Sequence, residues 1–375
     1  MDRRAAKCFN PAVQSSSNSQ AGKPESFARK LRRFALKLAI VAVTTCVCLL
    51  LAEFATRLLF PQFNPRAQLG FQVMPGHFAL GPPLRTERDM TPKGDFNVEV
   101  KFNQYGFRDV KDLRDSTGAD WFAVGDSFTL GFGVDEDKRF SNRLEQKLQA
   151  AGGRARVFNI AIPGNFLDYQ RLVQYAESRG ATVKHLIVGV CMDNDLEDYS
   201  TGKSDWELMP QWNANSSLVS RIRAWLKARS ALYITTSFVL ESSPVTRRLL
   251  EKIGLANDLI AMDAGYKSRL DEAVLKTGRD ELVKLASEAP DTLILIIPSR
   301  RLWLSNDRQT EAQIHTTFVR MCRDAGLNVI DLKRVFEKDP NPLSFYFAHD
   351  PHWSPRGHEI AAAELFKAIQ SREQK

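Results

Sequence analysis

An α/β fold, a parallel sheet with helices on both faces, is predicted by two observations from residue 120 onward. Apolar runs of five to seven residues recur, WFAVG, RVFNIAI, HLIVGVC, TLILIIP and LNVIDL. Between them stand amphipathic stretches of ten or more, SNRLEQKLQAAG, YQRLVQYAESRG, DELVKLASEA and TTFVRMCRDAG. Strands separated by helices of that length are βαβ units, so they run parallel. Their near-continuous apolar character is that of strands buried on both faces.

The segments before residue 120 read differently. Residues 1–37 hold nine Lys/Arg against Asp2 and Glu25, which accounts for +7 of the chain's net +8. The basic balance therefore describes a tail, and a nucleic-acid partner for the body loses its support. With NPAVQSSSNSQAGKPES in it, this tail is polar, Ser-rich and expected to be disordered. Leu38–Ala52 is then free of charge for 15 residues, and continuation to Phe60 makes 23, against roughly 20 for a membrane span. Glu53 and Arg57, one turn apart, would pair near the outer interface. We read residues 38–60 as a single signal-anchor in the lipid bilayer, with a cleaved signal peptide or a buried core helix as rivals. Positive residues stay inside, so the tail is expected in the cytoplasm and the body from about Pro61 outside it.

Residues 61–97 contain six prolines and read as an irregular connector. NVEVKFNQYGFRD alternates like a strand with Gly106 as a turn, and the folded domain is taken as 98–370. The interval 199–265 breaks the strand–helix rhythm and reads as a helical insertion between the third and fourth strands, near the site. Cys191 and Cys322 each sit in an apolar run and read as buried free thiols, with a disulfide between them left open. No Cys/His spacing points to a metal, and no Walker-type loop or G-x-G-x-x-G points to a nucleotide, so no cofactor is expected.

Ligands of open parallel sheets bind beyond the carboxyl ends of the strands. After the first strand stands GDS with Ser127, after the second NIAIPGN with Gly164, after the third DND with Asn194, and before the last helix AHDPHWSPRGH with Asp350 and His352. A serine hydroxyl needs a base within hydrogen-bond reach, and that base needs a third group to fix its tautomer. His352 and Asp350 supply these roles. The backbone N–H groups of Ser127 and Gly164 and the Asn194 amide are candidate oxyanion donors. Each has a plainer reading: Ser127 as a turn or cap, Gly164 as a turn, Asn194 as a cap, His352 as a packed histidine with His349 and His358 as competitors, and Asp350 as loop chemistry. Their common position at one sheet edge outweighs those readings.

These blocks resemble the SGNH or GDSL hydrolases over about residues 98–370. GDSFT resembles the first block with Ser127 as nucleophile, NIAIPG the second with Gly164, DND the third with Asn194, and DPHWSPRGH the last with Asp350 and His352. The resemblance implies a three-layer α/β/α sandwich, flavodoxin-like, with strand order 2-1-3-4-5. Two departures stand out. Only Pro351 separates Asp350 from His352, where many members have two residues, and this spacing with Trp353 is similar to the branch containing alginate O-acetyltransferases. Asp193 stands where the third block usually has glycine. The anchor and KFNQYGFRD also look like membrane-anchored bacterial members.

Three functions compete. The first is a periplasmic serine esterase acting on an acylated carbohydrate or other ester. The second is an O-acetyltransferase that passes the same acyl group to exopolysaccharide or cell-wall glycan, with polysaccharide-biosynthesis machinery as partner. The third is a non-catalytic, membrane-tethered glycan-binding scaffold. Trp206, Trp212 and Trp225 in the insertion are candidates to line a sugar site, although tryptophans more often belong to a core.

Overall fold

The computed structural model describes residues 27–199 and 202–373, and the chain divides into two units, 1–52 and 53–375. Helix α1 (Phe27–Leu59, 33 residues) crosses that division. Its apolar window has a mean hydropathy of 2.4 and no buried residue. By length and composition the helix is apolar enough to cross a membrane, a property shared by membrane anchors and signal sequences. The helix begins eleven residues before Leu38, so Phe27–Lys37 is not the disordered tail expected. FARKLRRFALK lacks Gly and Pro and is rich in strong helix formers, which extends the helix through the basic cluster. Residues 1–26 lie outside the described residues.

In the second unit, residues 61–97 are not an irregular connector. Strand β1 (Gln72–Met74) pairs antiparallel with β2 (Phe78–Leu80), and β3 (Thr86–Met90) with β4 (Asn97–Lys101). The prolines all fall outside these strands, where a missing N–H breaks no ladder. Ala79, Leu80 and Val100 are buried, and the Phe78 ring packs 5.5 Å from that of Tyr175. Strands β1 and β2, three residues each, carry too little alternation to be read from sequence, whereas β4 is the start of the alternating NVEVKFNQYGFRD. The boundary placed at 98 cuts through the second hairpin.

Five parallel strands form the main sheet: β5 (Trp121–Val124), β6 (Val157–Asn159), β7 (His185–Cys191), β8 (Asp291–Ile297) and β9 (Val329–Asp331). Their order, β6-β5-β7-β8-β9, is the 2-1-3-4-5 arrangement that the resemblance implied. The helices are α2 (Ser127–Leu130), α3 (Phe140–Ala150), α4 (Phe166–Ser178), α5 (Asp195–Tyr199), α6 (Asp205–Asn215), α7 (Leu218–Arg229), α8 (Ala231–Ser242), α9 (Pro244–Lys252), α10 (Leu259–Gly265), α11 (Glu272–Ala286), α12 (Arg301–Leu304), α13 (Arg308–Asp324), α14 (Lys333–Phe336) and α15 (Pro355–Glu373).

Alternation along the strands makes two cores. Phe122, Val124, Val188 and Ile294 pack with α4, α11 and α13, whereas Trp121, Ala123, Ile187 and Leu293 pack with α3 and α15. A three-layer α/β/α sandwich results. Cys322 belongs to the first core and Cys191 to the second, and both are free thiols.

Candidate active site

Strand β5 turns into α2 through Gly125-Asp126-Ser127, and the turn leaves no room for a side chain at its start. A Cβ on Gly125 would lie 2.3 Å from Thr129 Oγ1 and 2.8 Å from the Gly189 carbonyl, and one on Gly189 would lie 2.1 Å from the same hydroxyl. Thr129 thus packs across two glycines on neighbouring strands. Asp126 is buried and caps α2 by accepting the Phe128 N–H at 2.9 Å. Between Trp121 and Leu130, Ser127 alone is not fully buried.

His352 Nε2 stands 2.8 Å from Ser127 Oγ, and its Nδ1 stands 2.6 Å from Asp350 Oδ1. The same carboxylate oxygen accepts the His352 backbone N–H at 3.0 Å. One intervening residue therefore suffices for Asp350 to hold both the backbone and the ring. The loop is braced on all sides. Phe347 N–H donates to the His352 carbonyl at 2.9 Å, the Tyr346 hydroxyl donates to the Pro298 carbonyl at 2.6 Å, and Trp353 is completely buried. Arg300, just beyond β8, donates to the Asp350 carbonyl at 3.2 Å and pairs with Asp263 of α10. The rings of Phe128 and Phe132 flank the imidazole at 4.9 and 5.1 Å.

Burial pulls the His352 pKa down, but the hydrogen bond and charge of Asp350, with the fields of Asp126 and Asp89, carry it above its ordinary 6.5. Asp350 is pushed up by burial, yet its bonds to His352 hold it below the ordinary carboxylate value. The two rival histidines are engaged elsewhere. His349 is tied to Asp95 by its backbone N–H at 2.8 Å and its ring at 3.0 Å. His358 Nδ1 accepts the Phe140 N–H at 3.3 Å, and burial, with Arg108 and Arg139 nearby, lowers its pKa to about 3.

Gly164 follows β6 in the loop that leads into α4, and Asn194 lies in the turn between β7 and α5. Both stand at the same sheet edge as Ser127. A Cβ on Gly164 would meet Asp168 Oδ2 at 2.6 Å, and Asp168 forms a capping box with Asn165 at the start of α4. Trp206 is buried and its Nε1–H donates to the Pro163 carbonyl at 2.9 Å, so it braces this loop. Trp225 is exposed on α7; the Trp212 side chain lies outside the described residues. Asp193 accepts from the Ser299 hydroxyl and lies 3.5 Å from Arg301 Nε. Its carboxylate is absorbed by the residues that follow β8.

Sequence reading missed Asp89, on β3 of the second hairpin. It is buried, accepts the Gly133 N–H at 2.7 Å and lies in the field of His352. No pattern around it signals a site, because β3 precedes all four blocks. Among the described residues no group of three or more His, Cys, Asp or Glu gathers as metal ligands.

The chain is similar in structure to the lipase/acylhydrolase from Enterococcus faecalis, with 14% identity, a TM-score of 0.38, and 68% of this chain and 96% of that chain covered. It is also similar to LAE5, an alpha/beta hydrolase enzyme from the metagenome of Lake Arreo, Spain, with 13% identity, a TM-score of 0.38, and 69% and 98% covered. For the psychrotrophic esterase EstA from Pseudoalteromonas sp. the figures are 10%, 0.36, and 68% and 100%. No curated protein sequence matches the chain. The sequence model of the GDSL-like Lipase/Acylhydrolase family matches residues 123–360, from the middle of β5 into α15. The chain belongs to this family of serine acyl hydrolases.

Proposed function

We propose that this protein is a membrane-anchored serine esterase that removes an O-acyl group, specifically acetyl, from a glycan outside the cytoplasmic membrane. The observation that carries the reading is the continuous hydrogen-bonded chain from Ser127 Oγ through His352 to Asp350, at 2.8 and 2.6 Å. Ser127 Oγ attacks the ester carbonyl carbon while His352 Nε2 takes its proton. Asp350 keeps the other ring nitrogen protonated and stabilises the imidazolium. The Ser127 and Gly164 N–H groups and the Asn194 amide receive the oxyanion. As the carbonyl–oxygen bond breaks, His352 returns the proton to the leaving sugar hydroxyl, and water then repeats the sequence to release acetate.

The glycan ester is inferred from the Asp350-Pro351-His352-Trp353 spacing, which resembles the polysaccharide-modifying branch. The location rests on Arg29, Lys30, Arg32, Arg33 and Lys37, which precede the apolar run and hold the N-terminal side in the cytoplasm. A second reading, transfer of the acetyl group to another sugar hydroxyl, is favoured by the Phe128 and Phe132 rings, which place apolar surface against the imidazole. The test is p-nitrophenyl acetate hydrolysis by the detergent-solubilised full chain and by Ser127→Ala. Loss of activity in the folded variant is expected; unchanged activity would return Ser127 to a turn. Added glycan acceptors that draw acetyl away from water would select transfer.

A further inference from the structure

We infer that the outward face of α7 and α9, in the insertion, is a second membrane contact that lies on anionic lipid headgroups. This rests on the reading of α1 as an anchor. Three observations carry it.

Helix α9 turns its apolar row to solvent rather than to the core. Val245, Leu249 and Ile253, spaced four apart on one stripe, are 79%, 59% and 58% exposed. Arg248 and Lys252 form the adjacent exposed row. On α7, Leu218, Ile222 and Trp225 follow the same stripe rule, with Trp225 55% exposed and the Arg229 guanidinium 5.3 Å from its ring centre. Arg223 donates to the Gly254 carbonyl at 3.0 Å, which ties α7 to the end of α9.

Charge points to the occupant. Residues 216–253 contain seven Lys/Arg, at 221, 223, 227, 229, 247, 248 and 252, against only Glu241 and Glu251, in a body whose whole charge from residue 38 onward is +1. Exposed apolar rows flanked by Arg and Lys, with a tryptophan among them, have the composition of a helix that lies in a membrane interface.

Connection along the chain supports it. Within the body unit, the Glu53 carboxylate accepts the backbone N–H groups of Ala231 and Leu232, each at 2.9 Å, and the Ser230 hydroxyl at 2.8 Å, which caps α8. Arg57 pairs with Glu53 at 2.6 Å and donates to the Arg229 carbonyl at 2.5 Å. The residue joined to Glu53 is Ala52, the end of the uncharged run. Glu53 and Arg57, the first charged residues after that run, therefore hold the α7–α8 corner within the body unit, and the apolar rows of α7 and α9 stay uncovered there.

The test uses the full chain reconstituted in vesicles of phosphatidylcholine and phosphatidylglycerol with acyl chains brominated near the headgroup. The emission of Trp225 is taken as the difference between the parent and Trp225→Phe. We expect this emission to be blue-shifted and quenched about two-fold or more, as for an indole held about 5–10 Å into the headgroup boundary. Quenching should weaken when Arg221, Arg247, Arg248 and Lys252 are replaced by Gln, or when phosphatidylglycerol is omitted. A water-like, unquenched Trp225 overturns the inference. So does a shielded Trp225 that bromine does not quench and that follows the protein-to-lipid ratio, which would assign the face to a second copy. Alkaline carbonate extraction reports α1 separately. Retention without quenching sinks the face alone, whereas extraction with quenching preserved sinks the anchor and keeps the face.

Discussion

At the amino ends of the parallel strands, His185 Nδ1 stands 2.9 Å from Asp291 Oδ2, with the Trp121 ring 4.9 Å away. Beside them lies a cavity of about 480 Å³ lined by Trp121, His185 and Asp291. At the carboxyl ends, His352 is held by Asp350 at 2.6 Å and meets Ser127 at 2.8 Å. The amino end has the paired imidazole and the space, and the carboxyl end has the serine that we propose as nucleophile. A histidine oriented by a carboxylate is common in this molecule, since His315 with Asp331 and His349 with Asp95 make further pairs. Among the described residues only His352 of these four also meets a serine hydroxyl, and on that third partner the proposed acyl-transfer chemistry rests.

The largest expected effect separates the two ends. His352→Ala should lower kcat by about 10⁴–10⁶-fold, while His185→Ala and His349→Ala leave it within the scatter of the parent. Ester hydrolysis by the folded variants checks this. A loss in His185→Ala as large as that in His352→Ala would move the chemistry to the amino-end cavity. Next, Asp350→Asn should cost about 10⁴-fold, because the amide cannot hold the ring in the required tautomer. The matching change at the amino end, Asp291→Asn, should cost nothing in kcat.

What could be read in advance follows the same division. The five main strands were legible because burial on both faces makes each an unbroken apolar run, and their ends carried Ser127, Gly164, Asn194, Asp350 and His352. The hairpin β1–β2 was not, because three-residue strands beside prolines show no period and β2 owes its order to packing on α4 and α6; of the second hairpin only β4 was legible, in the alternation of NVEVK. The sequence favoured His352 through its resemblance to the last block, but what engages its competitors His349 and His358 was closed to sequence. Asp95, which engages His349, is 254 positions away from it, and Phe140, whose N–H binds His358, is 218 away. The role of Asp193 was hidden for the same reason, since its partners Ser299 and Arg301 come from the end of another strand.

A smaller effect tests the oxyanion side. A Cβ at Gly164 must displace Asp168, so Gly164→Ala should shift the loop and lower kcat by about 10²–10³-fold, as for loss of one oxyanion donor. Overpacking there should also cost about 1–3 kcal/mol of stability. Gly118→Ala is the control, because its Cβ would make an ordinary contact at 3.7 Å with Lys184. Equal losses in both variants, by thermal melting and kcat, would mean that Gly164 serves packing only.

The smallest effect concerns Asp89, which the second hairpin delivers to the site. Burial raises its carboxyl to about 6, so it is ionised above that pH and its charge supports protonated His352. As a general base His352 must be neutral, so kcat/KM should rise with pH through a midpoint above 6.5. Asp89→Asn removes a negative charge that raises the His352 pKa, so the midpoint should move to lower pH and the acid-side activity should increase. The hydrogen bond to Gly133 can persist through the amide oxygen, which separates charge from positioning. Asp291→Asn, at the other end of the sheet, should leave the midpoint where it is. If Asp89→Asn changes kcat but not the midpoint, Asp89 acts by pinning Gly133 rather than through its field.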